Sequence, residues 1–431
     1  MLASLVASRL ARRNIHYGWV VATVAFLTML TTSGAVGLPG ALILPLSKEF
    51  GWDLGGISSA LAIRLVLFGL MGPFSAALIE RYGVRNVVLA AVALISAGLL
   101  GATVMTELWQ LVVLWGVVVG IGTGLTALVL GAIVSSRWFT RHRGLVLGMM
   151  TASTSTGQLV FLPMAAWLVS HVSWRTALVP SIAGLGLVAL LVLLFVRDRP
   201  ADVGLLPFGE TEPTAAAAPA KPAIAAALGA FRTGARSSTF WILAATFFIC
   251  GLSTNGLIQT HFISLCADFG MPQVEAASAL AMMGAFDIVG TILSGWLSDR
   301  FDNRWLLFWY YGLRGLSLIY LPSSDFTIYG LGLFSLFYGL DWIATVPPTV
   351  KLAAATFGRE KAGLIFGWVF AAHQIGAAVA AFGAGFTRSE LSTYLPAFYT
   401  AGTACLLAAL LAISIRRSRS MGSPEPRLAR A

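Results

Sequence analysis

Five ionisable side chains, Arg64, Asp287, Arg314, Asp341 and His373, lie inside long stretches that are otherwise apolar. A charge in such surroundings costs at least a few kcal/mol, and it marks either a buried pair or the path of a polar solute. If the stretches are helices rising about 1.5 Å per residue, Asp287, Arg314 and Asp341 sit at similar depth. Two acids then share one base, so one acid can pair with Arg314 while the other holds a proton. A purely structural buried network is the competing reading. Arg64 has no acid in the stretches around it. It must find a carbonyl, water, a more distant acid or an anionic ligand, and a guanidinium grips a carboxylate with two parallel N–H groups. Histidine is a residue type suited to proton handling, which makes His373 a candidate, and Gln374 beside it is a further polar one. Asn255 and Gln259 are four apart and share one helical face, and Trp342 offers an apolar wall. The candidate binding set is therefore Arg64, Asn255, Gln259, Trp342, His373 and Gln374, with Asp287 and Asp341 as candidate proton carriers.

The elements that hold these residues follow from composition. Hydrophobic residues make up 58% of the 431 and charged residues 11%, against roughly 25% charged in soluble domains. Lipid must be the solvent for most of this chain. A crossing helix needs about 20 apolar residues, and twelve runs qualify: 17–39, 54–78, 86–105, 109–134, 144–169, 175–196, 240–263, 275–298, 305–321, 326–350, 363–386 and 395–415. The longest polar stretch, 197–239, separates runs six and seven, and its segment Thr211–Pro222 reads as a flexible linker. The net charge of +10 is spread over short basic clusters rather than one basic face, which argues against nucleic acid. Only Lys48, Arg175 and Arg388 fall on one side of the predicted spans. Nearly all other lysines and arginines fall on the side that holds both termini and the linker, so that side is expected to be cytoplasmic. Cys250, Cys266 and Cys405 lie in or beside apolar runs and imply no disulfide framework. There is no phosphate-binding loop, no Cys/His metal spacing and no soluble ATPase segment, so neither an enzyme nor a bound cofactor is expected.

The chain also repeats itself. Ala76-Ala77-Leu78-Ile79-Glu80-Arg81-Tyr82-Gly83-Val84-Arg85 matches Gly295-Trp296-Leu297-Ser298-Asp299-Arg300-Phe301-Asp302-Asn303-Arg304, and the same offset carries Gly144 onto Gly363 and Gly148 onto Gly367. The expected organisation is a six-helix half over 1–196, a linker over 197–239, a second half over 240–415 and a tail over 416–431. Parallel repeats of this kind are a known transporter construction with the solute site between the halves. The repeated segment resembles the loop signature G-x-x-x-D-R-x-G-R-R of the major facilitator superfamily. That resemblance implies an all-α membrane protein of twelve transmembrane helices, working as a monomer. Glu80, Arg81, Arg85, Asp299, Arg300 and Arg304 are then candidate gating residues, able to hold the cytoplasmic side closed.

Within that superfamily the chain looks like the monocarboxylate transporter and oxalate–formate antiporter branch. The matching pieces are His16-Tyr17-Gly18-Trp19, Glu49-Phe50-Gly51-Trp52, Trp138-Phe139-Thr140-Arg141-His142-Arg143-Gly144, Arg199-Pro200-Ala201-Asp202-Val203-Gly204-Leu205 and Phe357-Gly358. Animal monocarboxylate transporters carry an aspartate in helix eight, then a carboxylate-binding arginine four residues on. Asp287 matches the first, but Thr291 occupies the second position, and Arg64 is the preferred replacement. The expectation is a secondary transporter of a small organic anion, monocarboxylate-like and coupled to protons, in a bacterial inner membrane. The alternative is a proton-driven exporter of a hydrophobic compound.

Overall fold

The computed structural model describes residues 2–126, 128–210 and 223–415; the linker segment Thr211–Pro222 and the tail 416–431 lie outside them. Besides the shorter helices Leu2–Ala11 and Ala223–Ala235, twelve helical elements of the described residues follow one another in the order the apolar runs dictate. They are α1 (Gly18–Phe50), α2 (Leu54–Tyr82), α3 (Val84–Ala102), α4 (Leu108–Trp138), α5 (Arg143–His171) and α6 (Trp174–Phe195), then α7 (Ser238–Asp268), α8 (Gln273–Ser298), α9 (Asn303–Tyr320), α10 in two pieces (Gly330–Asp341 and Val346–Phe357), α11 (Arg359–Leu391) and α12 (Leu395–Ile413). Ten are long and apolar enough to cross a membrane. The other two are α9, which carries Arg304 and Arg314, and the interrupted α10. Span one departs most from expectation. It does not stop near residue 39 but runs on, with a break at Leu38, to Phe50.

Large apolar side chains such as Leu187, Ile292, Leu333 and Leu407 remain exposed on the outside. Helices are stable there because they satisfy their own backbone groups without water. Buried residues of α1–α6 form one core that includes Trp115 and Trp138. Those of α7–α12 form two, around Phe262 and Phe398 and around Phe240 and Tyr311. The core around Phe262 also takes in Ala41, Leu162 and Ala166 from α1 and α5. The two sets of helices thus meet at the end where α1 finishes, here called the far end. The opposite end, which carries the connection between α6 and α7, is called the linker end.

Prolines explain where the helices break and what crosses them. A proline lacks the N–H that would bond the carbonyl four residues back. Pro45 leaves the Ala41 carbonyl free, and the Gln273 side chain of α8 donates to it at 2.6 Å. Pro348 leaves the Ala344 carbonyl free, and the Ser294 hydroxyl donates to it at 2.5 Å. The break in α10 at 342–345 is held further by Arg314, whose Nη2 donates to the carbonyls of Asp341 (2.5 Å) and Trp342 (3.1 Å). Asp287 accepts from the Ile343 N–H at 2.9 Å. The breaks in α1 and α10 are therefore each met by side chains from neighbouring helices.

The family-like sequence pieces prove architectural. His16 bonds the Leu206 carbonyl at 2.9 Å and Tyr17 donates to the Phe195 carbonyl at 2.7 Å. Thr140 and Arg141 N–H groups bond the Phe208 carbonyl, and the ring of Phe208 packs against His16, Trp19 and Phe139. Asp202 caps the short turn Pro200–Val203 by accepting from the N–H groups of Asp198 and Arg199. Three separate motifs thus build one corner at the linker end. Glu49 does the same at the far end, accepting from Arg175 and from the Trp174 indole, each at 2.6 Å.

Candidate functional site

The π-wound stretch Leu252–Ile258 of α7 adds one residue to the turn, and Thr260 donates from its hydroxyl to the Asn255 carbonyl five residues back. Such stretches re-aim side chains and recur at functional sites. They also need a close neighbour. A Cβ at Gly251 would run into the His373 carbonyl, and one at Gly376 into the Phe248 carbonyl, so α7 and α11 lie backbone against backbone here. The result is a wall that presents Cys250, Thr254, Asn255 and Gln259 beside His373 and Gln374.

That wall bounds a central cavity of about 200 Å³, enclosed on the other sides by α1, α2, α4, α5 and α10. Met29, Val36, Phe68, Phe247, Phe370 and Trp342 supply apolar surface. Thr32, Ser33, Thr123, Thr126, Thr151, Thr154, Gln158 and Thr345 supply hydroxyl and amide groups. Its far end is closed by contacts between the two sets of helices. These are the Gln273–Ala41 bond, the Gly55 N–H donating to Ser389 at 3.0 Å, and the approach of Gly40 to the Gln259 carbonyl. At the linker end, by contrast, Gly144, Gly148, Gly295, Gly363 and Gly367 have no atom within 4 Å of where a Cβ would stand.

Five of the six candidate binding residues, Asn255, Gln259, Trp342, His373 and Gln374, line the cavity. Arg64 stands just behind it, 3% exposed, donating from Nη1 to the carbonyl of Val36, a lining residue at the break in α1 (2.9 Å). Several polar atoms of these residues have no partner: Arg64 Nε, Gln259 Nε2, both amide atoms of Gln374, and His373 Nδ1. Gln374 packs where a Cβ on Gly69 would stand, little more than one turn of α2 from Arg64. Unpartnered buried donors are uncommon, because each forfeits its hydration without a replacement. The five named here belong to residues that line the cavity or stand just behind it.

The candidate proton carriers sit one layer outside. Asp341 pairs with Arg314 (Nε to Oδ2, 2.7 Å) and Asp287 accepts from Thr291 (3.1 Å) as well as from Ile343. Both therefore hold the break in α10, adjacent to the lining residues Trp342 and Ile343. Thr291, at the position of the missing arginine, serves as a donor to Asp287.

The six candidate gating residues make local contacts. The Arg85 N–H bonds Asp198 at 3.1 Å and its guanidinium bonds the Leu193 carbonyl. Arg81 lies over the Tyr82 ring and Arg300 over Trp296; Arg304 pairs with Asp302 and bonds the Ile415 carbonyl. Asp299 pairs with Lys351, whose ammonium holds the carboxyl below its usual range. Glu80 is exposed. Among the described residues none of these bonds joins α1–α6 to α7–α12.

Sequence reasoning missed the threonine-rich opposite wall, Cys250 in the lining, and the partners Asp198, Lys351 and Gln273. Pro45 is the signal that could have found Gln273, since it announces a free carbonyl at Ala41.

The comparisons with known proteins agree with this architecture. The model of the Major Facilitator Superfamily matches residues 21–381 and 267–431. The uncharacterised MFS-type transporter YcxA of Bacillus subtilis is 28% identical over 361 residues, covering 82% of this chain and 84% of its own. Monocarboxylate transporter 13 of Bos taurus is 26% identical, covering 90% and 86%. The solved structure of a D-xylose–proton symporter superposes with a TM-score of 0.70 at 13% identity over 93% of this chain and 98% of that one, a likeness of fold. The chain is an integral, multi-pass membrane protein and belongs to the major facilitator superfamily of transporters.

Proposed function

We propose that this transporter carries a small organic anion of the monocarboxylate type by alternating access, coupled to protons. The observation that carries the reading is the set of unpartnered buried donors, Arg64 Nε, Gln259 Nε2 and Gln374 Nε2, in or just behind the lining of a cavity that is otherwise hydroxylic and aromatic. A carboxylate has about four acceptor sites and would satisfy them. The threonines opposite suit a hydroxyl or keto group on the same solute. Monocarboxylate transporters among the relatives support the same class. Residues 1–196 and 240–415 are the two bodies that rock about the cavity, with both termini and the linker on the cytoplasmic face. His373 in the lining and the Asp287 and Asp341 layer behind it are the groups that would couple protons.

A second reading, export of a hydrophobic compound, draws on Phe68, Phe247, Phe370 and Trp342 in the same lining. Isothermal titration of purified protein with lactate, pyruvate, oxalate and formate separates the two. The organic-anion reading expects saturable binding of at least one, weakened at least about tenfold in Arg64→Ala through loss of a charge-assisted pair. Binding of apolar compounds alone, with no anion bound, would favour the exporter.

A further inference from the structure

Cys250 differs from the other two cysteines in what surrounds its sulfur. All three cysteines are buried, and neither Cys266 nor Cys405 is among the residues that line the cavity. Cys250 belongs to the cavity lining. Arg314 Nη1 lies 3.0 Å from its sulfur and Thr345 Oγ1 3.4 Å, and the same guanidinium is locked by Asp341 and two carbonyls. On the cavity side is the ring of His373, 7% exposed, with Nδ1 unpartnered. A fixed cation beside the sulfur stabilises a thiolate, and an imidazole in reach can take its proton; these are the surroundings of reactive thiols.

We propose that Cys250 is a modification site, a thiol set to attack a small soft electrophile that enters the central cavity. The thiol proton passes to His373 and the sulfur forms an S–C bond. With an α-halo acid the halide leaves with its electron pair; with an α,β-unsaturated acid the adjacent carbon takes up a proton. An adduct here fills a cavity of about 200 Å³ and arrests the carrier. The reactivity of Cys250 stands on its own geometry, whereas the preference for an acidic electrophile rests on the proposed organic-anion function.

The test uses the wild-type protein in nanodiscs with iodoacetamide and iodoacetate, reading each cysteine by peptide mass spectrometry, so the comparison among cysteines needs no variant. Iodoacetamide is expected to alkylate Cys250 at least about tenfold faster than Cys266 or Cys405, as its thiolate-favouring surroundings require. His373→Gln should slow that reaction while leaving the other two cysteines unchanged. Equal rates at all three cysteines, or none at Cys250, would overturn the proposal and leave the organic-anion reading standing. The ratio of iodoacetate to iodoacetamide rate at Cys250 should exceed that of glutathione under the same conditions. A selective Cys250 whose ratio falls to or below glutathione's would keep the reactive thiol and remove the anion preference.

Discussion

Arg64 keeps a buried guanidinium with one recorded hydrogen bond and an unpartnered Nε. A cation so placed is costly unless its remaining donors are used, and a carboxylate in the adjoining cavity would use them. Arg64→Lys retains the charge but not the planar fork, so it should bind anion little better than Arg64→Ala; titration of the two variants checks this. Arg314 has the opposite character, with its donors taken by Asp341, two carbonyls and Cys250. Removing one member of a buried ion pair costs about 3–5 kcal/mol, while replacing both with apolar residues can be nearly neutral. Asp341→Leu should therefore lower the melting temperature in detergent strongly, and Arg314→Met with Asp341→Leu should recover part of it. Equal destabilisation by the single and double changes would show that Arg314 acts through the α10 carbonyls rather than through the pair. The sequence placed Asp287, Arg314 and Asp341 together because helical rise is regular. It could not say that Asp341 rather than Asp287 takes the arginine, since that depends on how α9 and α10 are rotated.

The elements extend the same logic. Pro45 and Pro348 are visible in the sequence, yet the donors that answer them, Gln273 and Ser294, come from α8, far along the chain. Apolar runs locate helices well because lipid enforces length; they say little about which helix supplies a side chain to another's break. Span one shows the limit, continuing through Pro39 and Pro45 to Phe50 where the apolar run placed its end near residue 39. The Gln273–Ala41 bond joins the two sets of helices at the far end, so Gln273→Ala should loosen that closure. The expected readout is a larger far-end distance, by electron–electron resonance between spin labels at Lys48 and Asp268. In a Pro45→Ala background the helix can bond Ala41 itself, and the effect of Gln273→Ala should shrink; additive effects would mean that the glutamine acts elsewhere.

At the scale of the whole molecule, the twelve helices and their order were legible from composition and the internal repeat. The shape of the cavity was not. Its threonines look unremarkable in sequence, because a threonine in a membrane helix bonds its own backbone, as Thr28 and Thr123 do here, and only the packing of α1, α4 and α5 turns several of them inward. The family resemblance fixed the class, while the residues at its motifs build corners rather than the binding wall. The central claim is that this cavity moves small organic anions with protons. It is tested most directly by uptake of radiolabelled lactate, pyruvate, oxalate and formate into proteoliposomes, with and without an inward proton gradient. The account predicts gradient-stimulated uptake of at least one of them, lost in Arg64→Ala and in Gln374→Leu; correctly folded protein that moves none of the four under either condition would contradict it.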